Sequence, residues 1–155
     1  MTRSHETTIE LSGGCLCEAI RYRCTAQPCD VHYCHCRLCQ KAFGNVFAVF
    51  GLLPRTALTF TRGIPRHYRS TPYAERGFCQ SCGTPLTFRY LRSDWIAISI
   101  GSLDHPEAAL PNMHWGIESQ VSRLSMDDGL PRRQIEGDPE YIWPCVRPID
   151  GQSVQ

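Results

Sequence analysis

The chain has 155 residues, 42% of them hydrophobic, with 16 Lys and Arg against 15 Asp and Glu, a length that suits one domain with its own core. A net charge of +1 gives none of the basic footprint that a phosphate backbone or an anionic membrane surface demands. No apolar run approaches the roughly twenty residues that span a bilayer, and the polar start from Met1 to Ser12 lacks the apolar centre of a secretory leader. The expectation is a cytoplasmic protein with neither nucleic-acid nor membrane partners.

Thr7 to Leu11 is a short β-rich opening, and Ser12-Gly13-Gly14 reads as a turn into Cys15-Leu16-Cys17, a C-x-C pair. Glu18 to Cys24 alternates, with Ile20, Tyr22 and Cys24 on the apolar face, so Cys24 is expected as a small buried hydrophobe. Cys29 to Tyr33 leads into Cys34-His35-Cys36-Arg37-Leu38-Cys39, a C-x-C-x-x-C run. Gln40 to Phe43 suits a helical turn stopped by Gly44. Val46 to Leu53 is almost wholly apolar and too short for an ordinary buried helix, which predicts a central strand covered on both faces.

Pro54-Arg55 turns the chain, Leu58 to Arg62 alternates, Gly63 breaks to Arg66 to Arg69, and Thr71-Pro72 makes the next turn. Phe78-Cys79-Gln80-Ser81-Cys82-Gly83 has the form of a zinc knuckle, with Gly83 placed for a positive φ. Thr87 to Tyr90 and Trp95 to Ile100 follow as strands, then a loop over residues 101–111, a short strand at Met113-His114-Trp115, and a Pro-, Gly- and charge-rich tail from Asp127. Closely spaced strands joined by turn residues predict a single, mainly antiparallel all-β domain.

Ten cysteines form an even number, yet their clustering in a chain read as cytoplasmic points to metal rather than to a disulfide framework. Zinc takes a tetrahedron of soft ligands, closed by four in structural sites and left with an open position when three are supplied. Cys15, Cys17, Cys79 and Cys82 make a four-thiolate set, and Cys34, Cys36 and Cys39 remain as a triple. Cys29, His32 or His35 stand near enough in sequence to close the triple instead. Cys24 and Cys145 show no ligand spacing. A zinc bearing three thiolates carries a formal charge of minus one, so Arg37, Gln40 and Lys41 are candidates to hold the carboxylates of an anionic thiol. His114, between Met113 and Trp115, is either a packed core histidine or a group that orients or protonates a substrate.

Gly13-Gly14-Cys15-Leu16-Cys17, Tyr33 through Cys39, Gly77 through Gly83 and Asp127-Asp128-Gly129-Leu130-Pro131, taken in that order, resemble the glutathione-dependent formaldehyde-activating family, which is related to centromere protein V. The resemblance places the zinc-binding domain at residues 12–131, with a lead-in over 1–11 and a tail over 132–155. It implies a β-tent fold and two zincs, a structural one at Cys15, Cys17, Cys79 and Cys82 and a catalytic one at Cys34, Cys36 and Cys39. It also implies carbon–sulfur lyase chemistry on the adduct of glutathione and formaldehyde. Members often carry a Pro-Trp pair ahead of the Asp-Asp-Gly-Leu-Pro run, where this chain has Ser122-Arg123. A zinc-stabilised binding module and a simple thiol carrier are the alternative functions.

Overall fold

The apolar run expected as a central strand occupies that place. In the computed structural model, which describes residues 10–135, the strands are β1 (Leu11–Gly14), β2 (Arg21–Cys24), β3 (Cys29–Cys34), β4 (Ala48–Pro54), β5 (Leu58–Arg62), β6 (Arg66–Thr71), β7 (Ala74–Phe78), β8 (Pro85–Tyr90), β9 (Trp95–Ser99), β10 (Met113–Trp115) and β11 (Arg132–Arg133), with one helix, α1 (Arg37–Phe43). They form a large sheet in the order β11-β10-β3-β4-β9-β8-β7-β6 and a small one in the order β1-β2-β5. β4 lies between β3 and β9, antiparallel to both. β10 runs parallel to β3 and to β11, and the remaining pairs are antiparallel. The result is the mainly antiparallel, single-domain all-β fold that the spacing of strands predicts.

Strand side chains alternate between faces, and the central strands use both. Leu53, Ile96 and Ile98 join Ile20, Tyr22, Cys24 and Leu86 in one cluster, against the small sheet. Phe50, Leu52 and Ala97 face the other way, with Cys34 and Cys39, and Phe43, Phe88 and Trp115 pack around them. The C-x-C-x-x-C run therefore sits on a packed apolar floor. Burial of such a cluster contributes roughly 25 cal/mol per Å² of apolar surface to holding the strands under the site.

Several expectations need correction. Ser12-Gly13-Gly14 is part of β1, not a turn. Its glycines admit close approach: a Cβ on Gly13 would stand 2.4 Å from the Tyr22 hydroxyl and 2.5 Å from the Ser102 carbonyl oxygen. β2 begins only at Arg21, because the chain after Cys17 turns, with Glu18 at a φ of 61°. Pro54-Arg55 leads into a short 3-10 helix, Arg55–Ala57. The loop over 101–111 contains another, Pro106–Ala108. β7 was not anticipated, and β11 carries the sheet two residues beyond the boundary at 131. The expected strand over Thr7 to Leu11 and the tail beyond residue 135, Cys145 included, fall mainly outside the described residues.

Candidate metal centres

Turn chemistry builds the four-cysteine set. The Gly83 amide donates to the Cys79 carbonyl at 2.8 Å and the Cys79 amide to the Thr84 carbonyl at 2.9 Å, while Gly83 takes a φ of 78°, so Cys79 and Cys82 point out of one tight turn. The turn after β1 faces it, pinned by the Leu16 amide on Thr84 Oγ1 at 3.1 Å. Cys15 Sγ stands 3.6 Å from Cys17 Sγ, which stands 3.8 Å from Cys79 Sγ, and the four sulfurs lie within 4.8 Å of one another. Sulfurs about 2.3 Å from a shared zinc would stand about 3.8 Å apart, so this set fits the metal. The hydroxyl and backbone of Thr84 hold the Cys82 thiol down to about 5, which prepares a ligand that must be a thiolate to bind.

The three-cysteine set lies where β3 runs into α1. Cys34 ends the strand, His35 crosses over with its amide on the Trp115 carbonyl at 2.8 Å, and Cys36 is the N-cap of α1, its sulfur accepting from the Cys39 amide at 3.3 Å. Gly44, with a φ of 58°, caps the other end, as its sequence position predicts. Cys34 Sγ is 3.5 Å from Cys36 Sγ and 3.3 Å from Cys39 Sγ. No further Cys, His, Asp or Glu ligand atom among the described residues joins the group. Cys29, His32 and His35 thus do not close it; Cys29 is instead disulfide-bonded, a pairing that the reading of the cysteines as metal ligands did not assign. Cys24 is a free, fully buried thiol in the apolar cluster.

Hydrogen bonds from Cys34 and Cys39, aided by the Cys39 amide and the Arg76 charge, hold the Cys36 thiol down to about 2, and the same contacts push Cys34 far up. A divalent cation supplies the charge that lets all three ionise, and the sulfur spacing fits one.

Arg76 approaches this set from β7. Its Nη2 donates to Cys39 Sγ at 3.6 Å, its guanidinium stacks 4.9 Å from the centre of the Phe88 ring, and its buried Nη1 has no acceptor among the described residues. Behind the Cys34–Cys36 crossing, His35 Nε2 stands 2.8 Å from His114 Nδ1, and His114 Nε2 stands 2.9 Å from Asp128 Oδ2. Both rings are fully buried, and Tyr33 stacks on His114 with centroids 4.8 Å apart. The expected substrate-facing His114 has both nitrogens engaged in this row. Gln40 is also occupied: its amide donates to the carbonyls of His35 at 2.5 Å and Ser119 at 2.9 Å, and its oxygen accepts from Arg37. Arg37, Gln40 and Lys41 line an open cleft of about 330 Å³ with Gly44, Asn45 and Val46. None of the three cysteines lines it.

Sequence reasoning missed Arg76 and gave no role to Asp128. Arg76 precedes Cys79 by three positions on a strand without clear alternation. Asp128 belongs to the Asp-Asp-Gly-Leu-Pro run, whose resemblance marked it without showing its contact.

An all-β scaffold that brings one set of four cysteines and one set of three to separate faces defines a protein with two candidate metal centres. Residues 10–119 match the model of the family described as glutathione-dependent formaldehyde-activating enzyme, and the chain belongs to that family. It is similar to a Schizosaccharomyces pombe protein named an uncharacterized lyase, with 32% identity over 81 residues, covering 52% of this chain and 58% of the relative. The matched part therefore spans little more than half of that relative. A crystal structure of a Rhodobacter sphaeroides protein has a similar fold, at a TM-score of 0.50 and 16% identity over 79% of this chain and 99% of the other. No helix among the described residues is long and apolar enough to cross a membrane.

Proposed function

We propose that the protein is a zinc-dependent carbon–sulfur lyase that joins and separates a small thiol and a small aldehyde, with Cys34, Cys36 and Cys39 as its reaction centre. Glutathione and formaldehyde, the pair in the family's description, are the proposed substrates, and the cytoplasm is the proposed setting. The observation that carries this reading is the count of sulfurs: three together, with no fourth ligand among the described residues, against four in the other set. The four-cysteine set would hold a structural zinc, tying the turn after β1 to the β7–β8 turn. Zinc at the triple would supply a position for one more sulfur and stabilise it as a thiolate at neutral pH.

The chain's own residues supply the rest. Arg37 and Lys41 stand four apart on α1, hence on one face, and their cleft suits the carboxylates of a glutathione-like thiol. In the forward direction the thiolate sulfur attacks the aldehyde carbon, a carbon–sulfur bond forms, and the carbonyl oxygen takes a proton from water. In reverse that proton leaves, the carbon–oxygen double bond reforms, and the sulfur departs with the bonding pair. His114 serves as a positioning residue, acting through His35 on the segment between Cys34 and Cys36.

Nuclear magnetic resonance exchange spectroscopy on glutathione and formaldehyde, with catalytic amounts of zinc-loaded protein, tests the reading. The expected result is faster interconversion of free aldehyde and adduct, lost in Cys36→Ser. An unchanged exchange rate overturns the lyase assignment. If the cobalt-substituted protein still showed a thiol-dependent spectral change in that case, the activity would be that of a thiol carrier.

A further inference from the structure

Arg76 has an unusual environment for a guanidinium. Its neighbours on β7 do not neutralise it: Glu75 points to the other face of the strand and pairs with Arg89 at 2.6 Å, and no carboxylate among the described residues forms an ion pair with Arg76. The cation is instead held by Phe88 on one side and by Cys39 Sγ at Nη2. Nη1 is buried with no acceptor. A buried charged donor left unpaired costs more than an ordinary lost hydrogen bond, so its persistence at the edge of a three-sulfur group points to an acceptor that arrives with a ligand.

We propose that Arg76 makes the three-cysteine site selective for an anionic sulfur ligand: anchored to Cys39 through Nη2, it keeps Nη1 for the thiolate that docks beside Cys34, Cys36 and Cys39. The inference rests on the reading of that site as open to a thiol. Its chemistry is that of a charge-assisted hydrogen bond, roughly twice as strong as one between neutral groups. The fork geometry of arginine lets one side chain address two sulfurs, which the single ammonium of lysine does not reproduce. A neutral ligand gains nothing from this cation, so Arg76 sorts ligands by charge before any aldehyde is present.

The test uses the full chain loaded with cobalt(II) in place of zinc, titrated with ethanethiol and, separately, with imidazole, with the cobalt absorption bands reporting what occupies the site. Arg76→Gln is expected to weaken ethanethiol binding about tenfold or more and to leave imidazole binding within twofold of the unsubstituted protein. Arg76→Lys is expected to fall between the two for ethanethiol, again without effect on imidazole. Equal weakening of both ligands would show that Arg76 only holds the site together, and no change in either would show that it does not act on the ligand; each overturns the inference. If Arg76→Gln does not fold, Arg76→Lys carries the test, and unaltered ethanethiol binding there overturns the two-sulfur assignment. Failure of both ligands to bind the unsubstituted protein has a different meaning: the site is then closed, and the lyase reading falls together with this inference.

Discussion

The row from Asp128 through His114 to His35 fixes proton positions as well as rings. Asp128 is held below the usual carboxylate range: burial opposes the charge, and the hydrogen bonds from His114 and from the Leu130 amide together outweigh it. An ionised carboxylate only accepts, so His114 donates to it from Nε2, and the neutral form of that ring offers a bare Nδ1 to His35. His35 must then donate from Nε2, which leaves its own Nδ1 as a lone pair. That atom is buried and without a partner among the described residues, and burial holds His35 below the ordinary imidazole value, hence neutral. Asp128→Ala removes the acceptor at the head of the row. Nitrogen-15 shifts of the imidazoles are expected to show one tautomer at both histidines in the unsubstituted protein and a mixture in the variant. A single unchanged tautomer at His35 would show that the row does not act as a unit. The sequence supplied His35 as a candidate ligand and His114 as a candidate acid, but not their pairing, because 79 positions separate them and only the parallel union of β3 with β10 brings the rings together.

At the scale of elements, Cys36 serves two structures at once. It is a candidate ligand and also the N-cap of α1, and the cap requires only an acceptor at the side-chain tip. Serine keeps that acceptor but is a poorer ligand for a soft metal site, whereas alanine removes both. Cys36→Ser and Cys36→Ala are therefore expected to lose metal from the triple alike, while the serine variant is more stable by about 0.5–1 kcal/mol in urea denaturation. Equal stability of the two would mean that the cap contributes nothing to the fold. The helix and its Gly44 stop were legible because capping is local, as was β4 from its continuous apolar run. β7 was not, since Ala74-Glu75-Arg76-Gly77-Phe78 has neither alternation nor an apolar run. Its strand state comes from pairing with β6 and β8, and the functional reach of Arg76 was lost to view with it. β11 was hidden for the same reason: two exposed arginines become a strand only beside β10.

For the whole molecule, the small sheet is joined to the rest by charge as well as by sulfur. Arg21 of β2 grips Asp104 through two nitrogens, Nη1 at 2.9 Å and Nη2 at 2.5 Å, and Ser12 of β1 donates to the same carboxylate. The Arg21 hydrogen bond, then that of Ser12, lowers the Asp104 carboxyl to about 2. A carboxyl with a depressed folded-state value contributes stability that is full above its unfolded value, about 3.9, and is lost as the pH falls through about 2. With screening of this partly exposed pair, about 1 kcal/mol separates Asp104→Asn from the unsubstituted protein at pH 6, and the difference narrows below about pH 4 and closes only below about pH 2. A constant gap across that range would assign the loss to packing. The two cysteine sets offer a sharper division. Removing zinc from Cys15, Cys17, Cys79 and Cys82 would release the turn after β1 from the β7–β8 turn, so metal loss there is coupled to loss of structure. The triple lies on an apolar floor of Phe50, Leu52 and Ala97 whose packing does not run through the metal ligands alone, and it has one ligand fewer. Mild chelation of the two-zinc protein is therefore expected to leave about one zinc per chain with an unchanged circular dichroism spectrum, whereas Cys82→Ala unfolds the domain and Cys36→Ala does not. Release of both metals in step, or an unfolded Cys36→Ala variant, would make the triple a structural site and remove the asymmetry on which the proposed reaction depends.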